Sequence, residues 1–153
     1  MRVRILLVIV LILSVIGLSC WILFVHNENQ YTSQITIKQI PGVLRTIDLP
    51  DMPQEWELES IKKYDDGFIS PIVIVSYKNG VTVRLTSSAS FTFTHEFVKQ
   101  KPPQRWKQRV DYYRSDDSIA YVFTLNRLTY AFSAPIHLQA EIDKMMNNML
   151  KLG

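Results

Sequence analysis

The chain has 153 residues, a formal charge of +3 and an isoelectric point near 9.0, with 47% hydrophobic residues. That composition is too apolar for a disordered chain and only mildly basic, so charge by itself points no further than tolerance of anionic surfaces. Its one cysteine, Cys20, leaves the rest of the chain without a disulfide or a thiol nucleophile, and five scattered glycines form no phosphate-cradling loop.

Residues 5–25 (ILLVIVLILSVIGLSCWILFV) carry no charge and, as a helix, would reach roughly 31 Å, enough to cross a hydrocarbon core of about 30 Å. Arg2 and Arg4 precede this run, and no Lys or Arg follows until Lys38, so the positive-inside rule puts the amino-terminus in the cytoplasm. The expected organisation is a cytoplasmic stub at 1–4, a transmembrane helix at 5–25, a linker at 26–48 and an extracytoplasmic domain at 49–153. A cleaved secretory signal is one alternative, but the run is long for one and lacks an Ala-x-Ala site. A lipoprotein is another, since Gly17-Leu18-Ser19-Cys20 is similar to a lipobox. However, Gly17 replaces the usual large aliphatic residue, and an apolar stretch follows Cys20 where a polar tether belongs.

After the polar stretch 26–33, residues 34–40 alternate weakly as a short extended segment, and Pro41-Gly42 reads as a break. Leu49-Pro50-Asp51-Met52-Pro53 stiffens the approach to the domain proper. Residues 56–63 then lead through the turn signal Asp65-Asp66-Gly67 into PIVIVSYK (71–78). Asn79-Gly80 predicts a two-residue type I′ hairpin into VTVRLTS (81–87), which would set Ile74 opposite Leu85 and Ser76 opposite Val83 on the core face. A second hairpin about Asn126-Arg127 would pair Leu125 with Leu128, Phe123 with Tyr130 and Tyr121 with Phe132, placing all six on one face. Ser133 is a candidate cap and Pro135 a first-turn residue for a closing helix whose stripe is Ile142, Met145, Met146, Met149 and Leu150. The predicted fold is α+β: an N-terminal transmembrane helix, an antiparallel β-meander sheet, and a C-terminal amphipathic helix packed on one face.

Catalytic chemistry finds little support. His26, His95 and His137 lack metal-ligand spacing, so neither metal nor cofactor is expected. Asp65-Asp66 and Asp116-Asp117 sit at turn signals, where Asp bonds nearby backbone. No serine lies in a nucleophile elbow, and the methionines of the closing stripe read as core filling. The distinctive segment is 91–114, cation-rich from Lys99 to Arg114, whose candidate surface for an anionic ligand comprises Lys99, Lys101, Arg105, Trp106, Lys107 and Arg109. Cations interleaved with aromatics suit lipid headgroups or a cell-wall polymer, and Lys and Pro in such numbers also suit a protected strand edge. Nucleic acid would satisfy the same electrostatics, but an exported domain seldom meets it, so no nucleic-acid partner is expected.

Four stretches carry a resemblance: Leu49-Pro50-x-x-Pro53, Trp56-Glu-Leu-Glu-Ser-Ile61, Ile72-Val-Ile-Val-Ser-Tyr-Lys-Asn-Gly80 and Leu128-Thr-Tyr130. Across residues 49–150 the chain resembles a bacterial domain family of unknown function that lies outside the membrane anchor of single-pass Gram-positive proteins. Its relatives include exported parts of anti-sigma-factor-like and sporulation proteins, and its fold is similar to part of the lipoprotein-carrier folds. The resemblance implies no catalytic residue. Direct sigma-factor inhibition would need a cytoplasmic domain, and residues 1–4 are too short for one unless a separate subunit supplies it. The expectation is a non-enzymatic, membrane-anchored binding module acting through an envelope protein or an anionic envelope component. The alternative is a lipid or lipopeptide carrier, with an apolar cavity between Tyr121, Phe123, Tyr130, Phe132 and the closing helix.

Overall fold

The computed structural model describes Ser14 and residues 31–46, 56–88, 91, 96–104 and 106–151. The chain divides into two units, residues 1–33 and 34–153. The predicted membrane helix at 5–25 lies outside the described residues apart from Ser14, as do residues 49–53. No helix among the described residues is long and apolar enough to cross a membrane.

Eight strands form the antiparallel sheet: β1 (Thr32–Gln34), β2 (Leu58–Tyr64), β3 (Ile72–Tyr77), β4 (Thr82–Thr86), β5 (Val98–Gln100), β6 (Val110–Arg114), β7 (Ser118–Leu125) and β8 (Leu128–Pro135). Two α-helices accompany them among the described residues, α1 (Ile40–Leu44) and α2 (Gln139–Lys151). The α+β prediction of a membrane helix, a simple meander and a single closing helix is therefore corrected. The described chain is mostly one broad sheet with two short helices, and its strand order is β1-β2-β3-β4-β8-β7-β6-β5. Two meanders are joined edge to edge where β4 pairs with β8. Residues 87–97 carry the chain from β4 to the far edge, about 19 Å away at about 4.8 Å per strand. Alternation in sequence shows which face a strand buries, but not which distant edge it will find.

Both helices cover the same sheet face. Ile40 and Leu44 of α1 join Ile142, Met146 and Leu150 of α2 in one core with Val73, Val75, Val83, Leu85, Tyr121, Phe123, Tyr130 and Phe132. Pro41 opens α1 instead of breaking the segment, because a first-turn proline gives up an N–H that has no helical partner. Arg45 closes α1 in the left-handed region, at φ 56°, and its N–H donates to the Pro41 carbonyl. The stretch 34–46 thus supplies core residues to the unit 34–153, of which it is the first part. Ser133 does not cap α2. It lies in β8 opposite Ala120, and the strand runs on to Pro135 because Ala134 packs opposite Ile119. A 3-10 turn, Ile136–Leu138, then leads into α2.

The two hairpins divide instructively. At Asn126-Arg127 both central residues have positive φ, 49° and 67°, as a type I′ turn requires, and the register is the predicted one: Leu125 with Leu128, Phe123 with Tyr130, Tyr121 with Phe132. At Asn79-Gly80 the prediction is off by one residue. Tyr77 exchanges hydrogen bonds with Val81 and Gly80, so the loop holds three residues; Gly80 takes φ 85° while the Asn79 side chain accepts the Val81 N–H. The extra residue pairs Val73 with Leu85, Val75 with Val83 and Ile74 with Arg84. Val83 and Leu85 face the core as predicted, whereas Ile74 and Ser76 face away from it, since one residue of register exchanges the two faces.

Phe123 is 2% exposed and stacks on Tyr130 at 5.1 Å and on Phe132 at 5.8 Å. Phe123→Ala should destabilise the domain by about 3–5 kcal/mol through lost burial and a residual cavity. A denaturant midpoint equal to that of the wild type would show that these rings do not carry the core.

Candidate functional site

The cation-rich segment is built on the β5–β6 edge. Lys99 pairs in register with Tyr113, and Asp111 lies two residues along the same strand as Tyr113, so all three face away from the helices. The Lys99 ammonium is 2.9 Å from Asp111 Oδ2 and 5.8 Å from the centre of the Tyr113 ring. Arg109 Nε stands 3.5 Å from the other Asp111 oxygen. The Lys99 hydrogen bond, with the charges of Lys99 and Arg109, holds Asp111 below the usual carboxylate range against the opposing effect of desolvation. Asp111 thus draws two of the predicted cations together and offsets part of their charge.

Beyond β5 the loop 101–109 folds back over the helical side. Asn147 of α2 ties it down twice, accepting from Trp106 Nε1 at 2.9 Å and donating to Gln104 Oε1 at 2.9 Å. The Trp106 ring meets Tyr121 edge-on at 6.0 Å and is half-buried. Trp106 is therefore a structural anchor for the loop, and its ring is turned toward the core. Lys101 and Lys107 are exposed and make no ion pair or hydrogen bond among the described residues. Arg105 lies outside the described residues. Asn147 was invisible to sequence reasoning, because it stands 41 residues from Trp106 and nothing in a helical asparagine marks it as a loop clamp.

Tyr121 lies under this loop and donates to Asp143 Oδ1 of α2 at 2.6 Å. Burial, then the hydrogen bond and negative charge of Asp143, push the Tyr121 hydroxyl well above the ordinary tyrosine range. It remains a donor throughout neutral pH. Burial likewise raises Tyr77, to about 12.

The aromatics expected to line a lipid space pack in the core against one another and against α2. Tyr121 and Phe132 are fully buried, Phe123, Tyr130 and Phe132 form a stack, and Ile142 and Met146 close over them. The acidic pairs behave as turn formers: Asp65 accepts the Gly67 N–H, Asp66 accepts those of Phe68 and Ile69, and Asp117 accepts from Ser115 Oγ. No family model, curated protein or solved structure matches the chain.

The Asp111 cluster has a measurable signature. Because folding lowers its pKa, the cluster contributes stability above the unfolded value of about 3.9 and loses it as pH falls through the folded value. A carboxyl-carbon NMR titration should place Asp111 below about 3.9, and Lys99→Gln should move its midpoint upward. An unchanged midpoint in Lys99→Gln would remove Lys99 as the cause.

Proposed function

We propose that this protein is a non-enzymatic binding module, held by residues 5–25 at a Gram-positive-like bacterial cell membrane, with residues 34–153 on the outer side. It acts there through an envelope protein or an anionic envelope component, either lipid headgroups or a cell-wall polymer. The resemblance to exported domains of single-pass proteins belongs to the same reading.

The observation that carries it is the way the 101–109 loop is held. Trp106 and Asn147 pin the loop, so Lys101 and Lys107 are displayed from a tied-down backbone, while Lys99 and Arg109, two residues from them in sequence, are held on Asp111. Ordering before binding lowers the entropy lost when an anion docks. Each cation near an anionic surface contributes about 1 kcal/mol, and three or four suffice for reversible attachment of a tethered domain. The burial of Tyr121, Phe123, Tyr130 and Phe132 in one packed core favours this reading over the carrier alternative.

Full-length protein in phosphatidylcholine nanodiscs, mixed with purified cell wall or phosphatidylglycerol vesicles and sedimented, tests this reading. Binding should be strong at 0.1 M salt, where the Debye length is about 10 Å, and largely lost at 1 M, where it is about 3 Å. The triple variant Lys101→Gln, Arg105→Gln, Lys107→Gln should lose most of the binding with its thermal unfolding unchanged. Equal sedimentation of wild type and variant would reduce the segment to an ordinary solvated edge.

Membrane placement has its own test. Protease added to intact protoplasts should digest residues 34–153 and leave an apolar membrane-bound stub. Survival of the whole chain, or a mature chain beginning at a lipid-modified Cys20, would overturn the proposed anchoring.

A further inference from the structure

The sheet face turned away from the helices holds a groove of about 390 Å³. Its apolar sides come from Ile69, Ile72, Ile74 and Phe91, and Arg84 lies among them. The three-residue turn at 78–80 is what puts Ile72, Ile74 and Arg84 on this face. In the row across the sheet, Arg84 stands between Ile74 on β3 and Ala131 on β8, so both cross-strand neighbours are apolar. Its side chain is half-buried and makes no ion pair or hydrogen bond among the described residues.

Thr86, Ser88 and Tyr64 of the groove wall already have hydrogen-bond partners. Thr86 Oγ1 accepts the Ser88 N–H at 3.2 Å, and the Ser88 carbonyl accepts Thr129 Oγ1 at 2.6 Å. Asp66, two residues past the wall residue Tyr64, has its oxygens taken by the Phe68 and Ile69 N–H groups and by a long 3.4 Å bond from the Tyr64 hydroxyl. None of these neutralises Arg84. A guanidinium partly withdrawn from water between isoleucines favours an anion, and its planar fork matches a carboxylate with two parallel bonds. Lys62, across Ile74 in the same row, adds a second positive charge about 10 Å away by strand spacing.

We propose that this groove binds a small single-chain carboxylate amphiphile, with its carboxylate on Arg84 and its apolar body against Ile69, Ile72, Ile74 and Phe91. The volume sits at the lower end of the roughly 300–1,000 Å³ of small-molecule sites, which suits one short chain and excludes the body of a two-chain lipid. Phe68, 91% exposed, and Ile69, 53% exposed, extend the apolar surface at the rim where such a chain would arrive. The site is separate from the Lys101 and Lys107 loop, and either can fail without the other.

The test uses full-length protein in phosphatidylcholine nanodiscs and carboxyl-¹³C octanoate, with binding read from the carboxyl resonance against empty discs. Wild type should bind octanoate at least tenfold more tightly than it binds octanol, which has the same chain without the charge. Arg84→Gln should lose at least tenfold in octanoate affinity, and Arg84→Lys should retain more than Arg84→Gln. Ile74→Glu places a competing carboxylate directly opposite Arg84 and should abolish binding. The Lys101→Gln, Lys107→Gln variant should bind octanoate as wild type does. Equal affinity of wild type for octanoate and octanol, or no octanoate signal beyond that of empty discs, overturns the proposal without recourse to any variant. Undiminished binding by a folded Arg84→Gln protein overturns it equally.

Discussion

Pairing of β4 with β8 joins what would otherwise be two narrow meanders, each with an exposed edge. The join aligns two rows of buried side chains across five strands. One runs Val75, Val83, Phe132, Tyr121, Tyr112; the other runs Val73, Leu85, Tyr130, Phe123, Val110. Only a surface of that width accepts both helices side by side, α1 against β3 and α2 against β8. Burying each large side chain contributes about 1.5–3 kcal/mol, so the rows dominate the stability of the fold, and their continuity depends on this one seam.

The two faces of the sheet consequently do different work. On the helical face the aromatic rings pack into the buried core, and polar atoms there are used as ties: Tyr121 to Asp143, Trp106 to Asn147. Those ties connect β7 and the 101–109 loop to a single helix, so the cationic loop inherits its order from the core. On the other face the central rows hold small and hydroxyl side chains, among them Ala120, Ala131, Thr129 and Ser133. There a recess survives, and a charged residue can sit half-buried without disrupting the packing beneath it.

Legibility differed sharply between the two hairpins, for a physical reason. Across Asn126-Arg127 the alternating aromatics on both strands demand one register, because a shift of one residue would turn one strand's pair, Tyr121 and Phe123 or Tyr130 and Phe132, to the face opposite the other's. Across Asn79-Gly80 the flanking strands are rich in β-branched residues on both faces, so Ile74 and Val75 are equally plausible as core. The turn itself had to choose, and Gly80 is the only residue there in the left-handed region. A Cβ there would be strained at φ 85° and would also approach Pro135 Cγ to 3.2 Å, so the proline ring would have to yield by a few tenths of an ångström.

Local chemistry was enough to read the alternating strands, the β7–β8 register, the turn roles of the acidic pairs and the buried stripe of α2, because each depends on residues near one another in sequence. The apolar run at 5–25 and its flanking arginines were legible in the same way, as a matter of length and charge alone. Tertiary structure decided which edges meet, that Pro41 begins a helix, that Trp106 faces inward onto Asn147, and that Arg84 lies in a groove with no ion pair among the described residues. Those outcomes depend on fits between surfaces far apart in the chain, where burial of the aromatic rows outweighs local preference and no short pattern records the partner.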